Sequence, residues 1–171
     1  EGGLSPLPTQ RRAERLKSAD EGMQESERLL LSWMAEYPMI LEQGKPFLGP
    51  YDFTEGVHLD LAEAIYRGDT SQESYSPAAL ISSYELEEDQ AEVARIFHTG
   101  ENILEKPEDW TKALQETVFR LKQRAITEEQ KRMDPRDPDR LKRTIEGRKL
   151  LDQLRRTDFR GPQEGEIDSI E

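Results

Sequence analysis

One stretch constrains the fold more than any other: Leu29-Leu30-Leu31-Ser32-Trp33-Met34-Ala35-Glu36-Tyr37. At 100° per residue, Leu29, Leu30, Leu31, Trp33, Met34 and Tyr37 cover most of a helix circumference. A helix that is apolar nearly all round has to be covered from every side. The spacing therefore predicts a central helix over roughly 24–37, broken by Pro38. Shorter helices must wrap it. One is expected over roughly 54–67, with Thr54 as N-cap, Val57, Leu61, Ala64 and Ile65 on one face, and Gly68 as its stop. Ser76-Pro77 opens another in cap-then-proline order, carrying Leu80 and Ile81. A fourth, roughly 87–99, sets Glu87, Glu88 and Asp89 against its N-terminal dipole and ends before Gly100. Alternating β-branched runs are absent, so the expected class is all-α.

Charge divides the chain. It has 171 residues, net charge −12, 35% charged and 34% hydrophobic residues. That leaves material for a small or elongated core. Residues 23–107, the expected bundle subdomain, hold 17 acids and 5 bases; residues 108–158 hold 11 acids and 14 bases. Residues 1–22 read as a Gly/Pro/Ser-rich linker followed by a weak helix, and 159–171 as a disordered acidic tail. From Glu108 to about Met133 nothing interrupts a helix of ~26 residues, or ~39 Å. Asp134-Pro135-Arg136-Asp137-Pro138 makes a turn with Asp137 as N-cap, and a return helix runs to about Asp158. The pair forms an αα-hairpin.

The first arm of that hairpin has two apolar stripes. Trp110, Ala113, Leu114, Thr117, Val118, Leu121 and Ala125 share one face, while Phe119, Ile126 and Met133 lie on the opposite one. On the return helix Leu141 and Ile145 lie nearly opposite Leu150 and Leu154. A single partner surface cannot bury both sides. The base of the hairpin is expected to pack on the bundle, and the distal part, Ile126–Met133 with Leu141–Ile145, to zip to itself and project. Gly147, in mid-helix, reads either as a bend or close contact or as a tolerated surface glycine.

Catalytic constellations are missing from the sequence. With no cysteine there is no thiolate nucleophile, disulfide or Cys-ligated zinc. The two histidines, His58 and His98, lack metal-site spacing, and His58 reads as a boundary residue at the start of its helix. No phosphate-loop, dinucleotide or nucleophile-elbow motif occurs. Glu85, Glu87, Glu88 and Asp89 lack the pattern of an EF-hand loop. Net −12 disfavours direct nucleic-acid binding, and no apolar run approaches the ~20 residues of a membrane span. Trp33 and Tyr37 are expected in the core. What remains is a protein-interaction module.

The segments ERLLLSWMAEYP, YDF with VHLDLAEAIY, and SPAALISSYELEEDQAEVARIF resemble the C-terminal domain of bacterial DNA primases. KALQETVFRLKQRAI, the Asp/Pro turn and DRLKRTIEGRKLLDQLRR are similar to that family's terminal helical hairpin. The resemblance spans roughly residues 24–158. It implies a non-catalytic, cytoplasmic domain that docks on the N-terminal domain of the replicative DNA helicase, coupling primer synthesis to the fork. The hairpin would supply most of the affinity. It also implies a zinc-binding domain and a magnesium-dependent polymerase domain in the parent chain, with no cofactor in this segment. The family's bundle is similar in fold to the helicase domain it binds, so a helicase N-terminal domain is the close rival reading, and another helical interaction module the more distant one. Some family members contact the tail of the single-strand binding protein. Here that would call on Arg28, Lys45, Arg67, Arg95 and Lys106.

A helix pair with an apolar seam and charged flanks can complete a partner's bundle by groove packing. The expected contact residues are Ile126, Met133, Leu141 and Ile145, flanked by Arg132, Arg136 and Arg140. The competing reading is that the four apolar side chains only close the hairpin on itself.

Overall fold

The computed structural model describes residues 8–99 and 104–162, with side chains from Asp20 onward. The chain is all-α. Among the described residues the helices are α1 (Pro8–Glu36), α2 (Pro38–Gly44), α3 (Val57–Tyr66), α4 (Pro77–Ser82), α5 (Glu87–Thr99), α6 (Pro107–Arg132) and α7 (Asp139–Arg155). Short 3-10 turns occupy Pro50–Asp52 and Asp69–Ser71. No described helix is long and apolar enough to cross a membrane.

The second half of α1 is the axis of the body. Leu30, Leu31, Trp33 and Met34 are at most 2% exposed, and α1 touches α2, α3, α5 and α6. Complete burial follows from the all-round apolar pattern of its sequence. Trp33 packs on Trp110 of α6 with ring centroids 4.9 Å apart, and Tyr37 meets the same indole edge-on at 5.9 Å. Trp110 also donates Nε1–H to the Leu104 carbonyl at 2.8 Å. Trp33 and Trp110 belong to the core, and the half-buried Tyr37 packs against it.

Pro38 ends α1 and also starts α2, as that helix's first residue. A proline has no N–H to lose at this position, so one residue serves as breaker and initiator. The helix expected from Thr54 begins later, at Val57. Thr54 caps nothing: its N–H and hydroxyl are both spent on the Glu27 carboxylate. Gly68 takes the left-handed conformation (φ 83°) that stops α3. Ser76 Oγ accepts from Ala79 N–H at 3.1 Å, capping α4 as its sequence implied. Gly100, the expected stop of α5, lies outside the described residues.

α6 runs antiparallel to α1 and carries the base of the hairpin into the common core. Trp110, Leu114, Val118 and Leu121 are at most 2% exposed, and Leu154 of α7 is fully buried. Asp137 Oδ1 accepts from Asp139 N–H at 2.9 Å just ahead of α7, but the expected Asp137 cap is corrected: α7 starts at Asp139, Pro138 holds its N-cap position, and no side chain caps it. The reading of 159–171 as a disordered tail is corrected at its start. Phe159 is 2% exposed and packs on Phe47, and the chain to Pro162 lies against the body. One buried ring offsets the polar composition that suggested a tail. Residues 163–171 and 1–7 lie outside the described residues.

Candidate functional site

The hairpin is where the sequence placed a docking surface, and the structure divides those residues among three environments. Ile126 and Met133 face α7. They line a groove between the arms with Lys122, Gln130, Gly147 and Leu150. Gly147 is there for close approach, since a β-carbon on it would sit 3.2 Å from Ile126 Cδ1 and Cγ2. Between Ile126 and Met133 the same seam is polar: Gln130 Nε2 donates to Thr144 Oγ1 at 3.3 Å, and Arg143 pairs with Glu129 at 2.9 Å. Nearer the base the Arg155 guanidinium lies 4.8 Å over the Phe119 ring.

Leu141 and Ile145 stand outside the seam. They are 69% and 44% exposed, at i and i+4 on one side of α7. The expectation that they zip with Ile126 and Met133 is corrected: α7 turns Gly147, Leu150 and Leu154 inward, and their near-opposite face points to solvent. This leaves two adjacent branched side chains uncovered on a helix rich in Lys and Arg. Tyr51 (83%) and Leu86 (64%) are the other large exposed apolar residues of the described chain, one in a turn and one before α5.

The three arginines are also separated. Arg132 lines a groove on the α1 side of α6, with Asp20, Glu128 and Glu129 beside Tyr51. Arg136 is exposed in the turn, its N–H donating to Asp134 Oδ1 at 2.9 Å. Arg140 is half-buried in the first turn of α7. Thus Arg136 and Arg140 border the exposed pair along the chain, and Arg132 belongs to another surface. The basic residues considered for an acidic tail are dispersed as well: Arg28, Lys45, Arg67 and Arg95 each pair with a carboxylate.

A second constellation, at the centre of the body, was not expected. Glu27 of α1 is fully buried. Its carboxylate accepts Thr54 N–H at 2.6 Å, Thr54 Oγ1–H at 2.8 Å, and both Arg124 terminal nitrogens at 3.2 Å. Arg124 of α6 donates in addition to the Asp52 carbonyl at 2.8 Å. His58 of α3 sits between two acids. Nδ1 lies 3.4 Å from Glu27 Oε2, not aligned as a hydrogen bond, and Nε2 is 2.8 Å from Glu92 Oε1. Arg28 closes the far side with Nε and Nη2 on the two Glu92 oxygens, at 2.6 and 3.2 Å.

Burial pushes the Glu27 carboxyl upward, but His58, Arg124 and Thr54 outweigh it and bring the pKa from 4.5 to about 2. Burial also opposes the charged form of His58, yet the facing Glu27 and Glu92 carboxylates raise its pKa above 6.5. Glu92 is lowered: burial acts against ionisation, and Arg28 and His58 overcome it. These carboxylates are already occupied by guanidinium, imidazole and hydroxyl donors. Among the described residues no group of His, Asp and Glu is arranged to hold a metal ion. The cluster therefore joins α1, α3, α5, α6 and the Asp52–Thr54 turn through charge-assisted bonds. The sequence signal for it was an acid and a base, Glu27-Arg28, entering the all-round apolar helix one turn before Leu30 and Leu31.

No protein-family model, no curated protein and no solved structure matches this chain.

Proposed function

We propose that this chain is the helicase-binding domain of a bacterial DNA primase, docking on the N-terminal domain of the replicative helicase through the solvent side of α7. The observation that carries the docking reading is the exposed pair Leu141 and Ile145 on a helix whose opposite face is anchored in the core. A branched apolar pair at i and i+4 on a rigid helix is what a partner groove takes up in helix-in-groove recognition. Arg136 and Arg140 stand next to it as charged flanks that steer encounter and fix register. The identity of the partner rests on the resemblance of residues 24–158 to the primase domain. On this reading the segment performs no chemistry itself, and it works in the cytoplasm at the replication fork.

The test is size-exclusion chromatography with a helicase N-terminal fragment. The wild-type chain is expected to co-elute. Leu141→Ser with Ile145→Ser should weaken the complex at least ~10-fold, the scale on which central apolar anchors act. Arg136→Glu with Arg140→Glu should weaken it as well and flatten its salt dependence. Co-elution unaffected by either pair removes this face from the interface, and failure of the wild-type chain to bind any replicative helicase overturns the reading.

A further inference from the structure

The segment after α7 is bound to the body in the manner of a peptide ligand. Phe159 inserts its ring beside Phe47, with centroids 6.0 Å apart, and is 2% exposed. Gln43 reads the next residue's backbone in both directions: Nε2–H donates to the Arg160 carbonyl, and Oε1 accepts the Arg160 N–H, each at 2.7 Å. Thr111 Oγ1–H donates to the Phe159 carbonyl at 2.7 Å. Gly161 lies directly on the Trp110 ring, where any β-carbon would overlap the indole. None of these contacts reads the Arg160 side chain. The recognised pattern is Phe-x-Gly, held by one ring pocket, one amide clamp on the backbone and one flat indole.

The receiving residues come from two separate parts of the chain, Gln43–Phe47 and Trp110–Thr111, and the segment adds no helix to the bundle. The site is also open along one side. A groove of about 540 Å³, bounded by Glu105, Pro107, Thr111 and Pro162, runs beside the segment. Backbone-directed hydrogen bonds plus one anchored side chain are the usual means by which proteins hold non-helical peptides.

We infer that the cleft formed by Gln43, Phe47, Trp110 and Thr111 is a peptide-binding site for Phe-x-Gly segments, filled in this chain by its own residues 159–161 and able to accept the same pattern from a partner protein when that segment is released. The inference is independent of the helicase reading, which concerns the other face of the hairpin. Tethering explains why the internal segment holds the site at rest, because a covalently attached ligand competes at high effective concentration.

The test uses Gly161→Ala in the full chain, which expels the segment by overlap with Trp110 and leaves every cleft residue in place. With the fold verified by circular dichroism, a synthetic heptapeptide of residues 156–162 should bind this variant and shift its tryptophan fluorescence saturably. The wild-type chain should give no shift, and the peptide with Phe159→Ala should bind at least ~10-fold more weakly. A folded variant with no saturable response, or with equal response to both peptides, overturns the inference. So does concentration-dependent dimerisation of the wild-type chain that Gly161→Ala abolishes, which would assign the cleft to a second copy. Should the variant fail to fold, hydrogen exchange on the wild-type chain decides. Faster exchange at the Arg160 amide than at Leu114 and Leu154 supports release of the segment, and exchange only with global unfolding excludes it.

Discussion

The two ends of one hairpin obey different rules. At the base, Trp110, Leu114, Leu121 and Leu154 are at most 2% exposed and share a core with α1; at the tip, Leu141 and Ile145 face water. The base follows the apolar stripe of α6 onto α1. The tip has the same helical geometry and comparable apolar residues, but they lie on the side of α7 turned away from both α6 and the body. Burial is thus decided by which face meets a neighbour, and two leucines thirteen positions apart on one helix acquire opposite tasks.

The sharpest way to break the comparison is at the buried cluster that locks the base of the hairpin to the bundle. Glu27→Ala leaves Arg124, His58 and the Thr54 amide without their shared acceptor in the protein interior. Removing one member of a buried ion pair costs about 3–5 kcal/mol, which urea denaturation would register as a large fall in midpoint. A loss below ~1 kcal/mol would show that the cluster does not hold the body together.

A matched pair of leucines sharpens it next. Leu154→Ala removes a fully buried side chain and should cost about 2–5 kcal/mol. Leu141→Ala should leave stability within ~0.5 kcal/mol of wild type. Equal losses at the two positions, measured under the same conditions, would mean that the tip is packed as firmly as the base.

Acidity bears on the base alone. Glu27 titrates near 2 in the folded chain against 4.5 for an unperturbed carboxyl, so its contribution is present above 4.5 and is lost as pH falls toward 2. His58 is raised above 6.5, so its contribution is fully present below 6.5 and is lost as pH rises through the raised value. Stability should peak at mildly acidic pH and fall on both sides. His58→Gln should flatten the alkaline slope and also lessen the acid slope, because His58 is one of the groups that hold Glu27 and Glu92 low; denaturation midpoints from pH 3 to 9 would show both.

Much of the fold was legible because it depends on periodicity and punctuation. The all-round apolar run gave α1 its place at the axis, Ser76-Pro77 and Gly68 marked real helix ends, and the Asp/Pro turn set the reversal of the hairpin. The misreadings share a cause: each residue's task is fixed by something distant in sequence. Thr54 looked like a cap because a helix follows it, but Glu27, 27 positions away, takes both its donors. His58 looked like a boundary residue until two acids from α1 and α5 closed on it. Phe159 sits in a polar stretch and is held by a ring 112 positions upstream. On the candidate site, the sequence marked Leu141 and Ile145 as apolar residues opposite Leu150. It could not say which of the two faces α6 would cover, and so it grouped them with Ile126 and Met133.

The position of Arg124 carries a mechanical consequence. This residue grips Glu27 at the middle of the body, and it stands two residues before Ile126 on the same unbroken 26-residue rod that ends at the tip. Torque applied to the far end of that rod is delivered straight to the salt-bridged centre, and through Glu27 to α1, the Thr54 turn and α3. α4, which packs on α5, lies off that line. The hairpin is therefore geared to the innermost part of the molecule, and whatever grasps its end holds a lever on the whole.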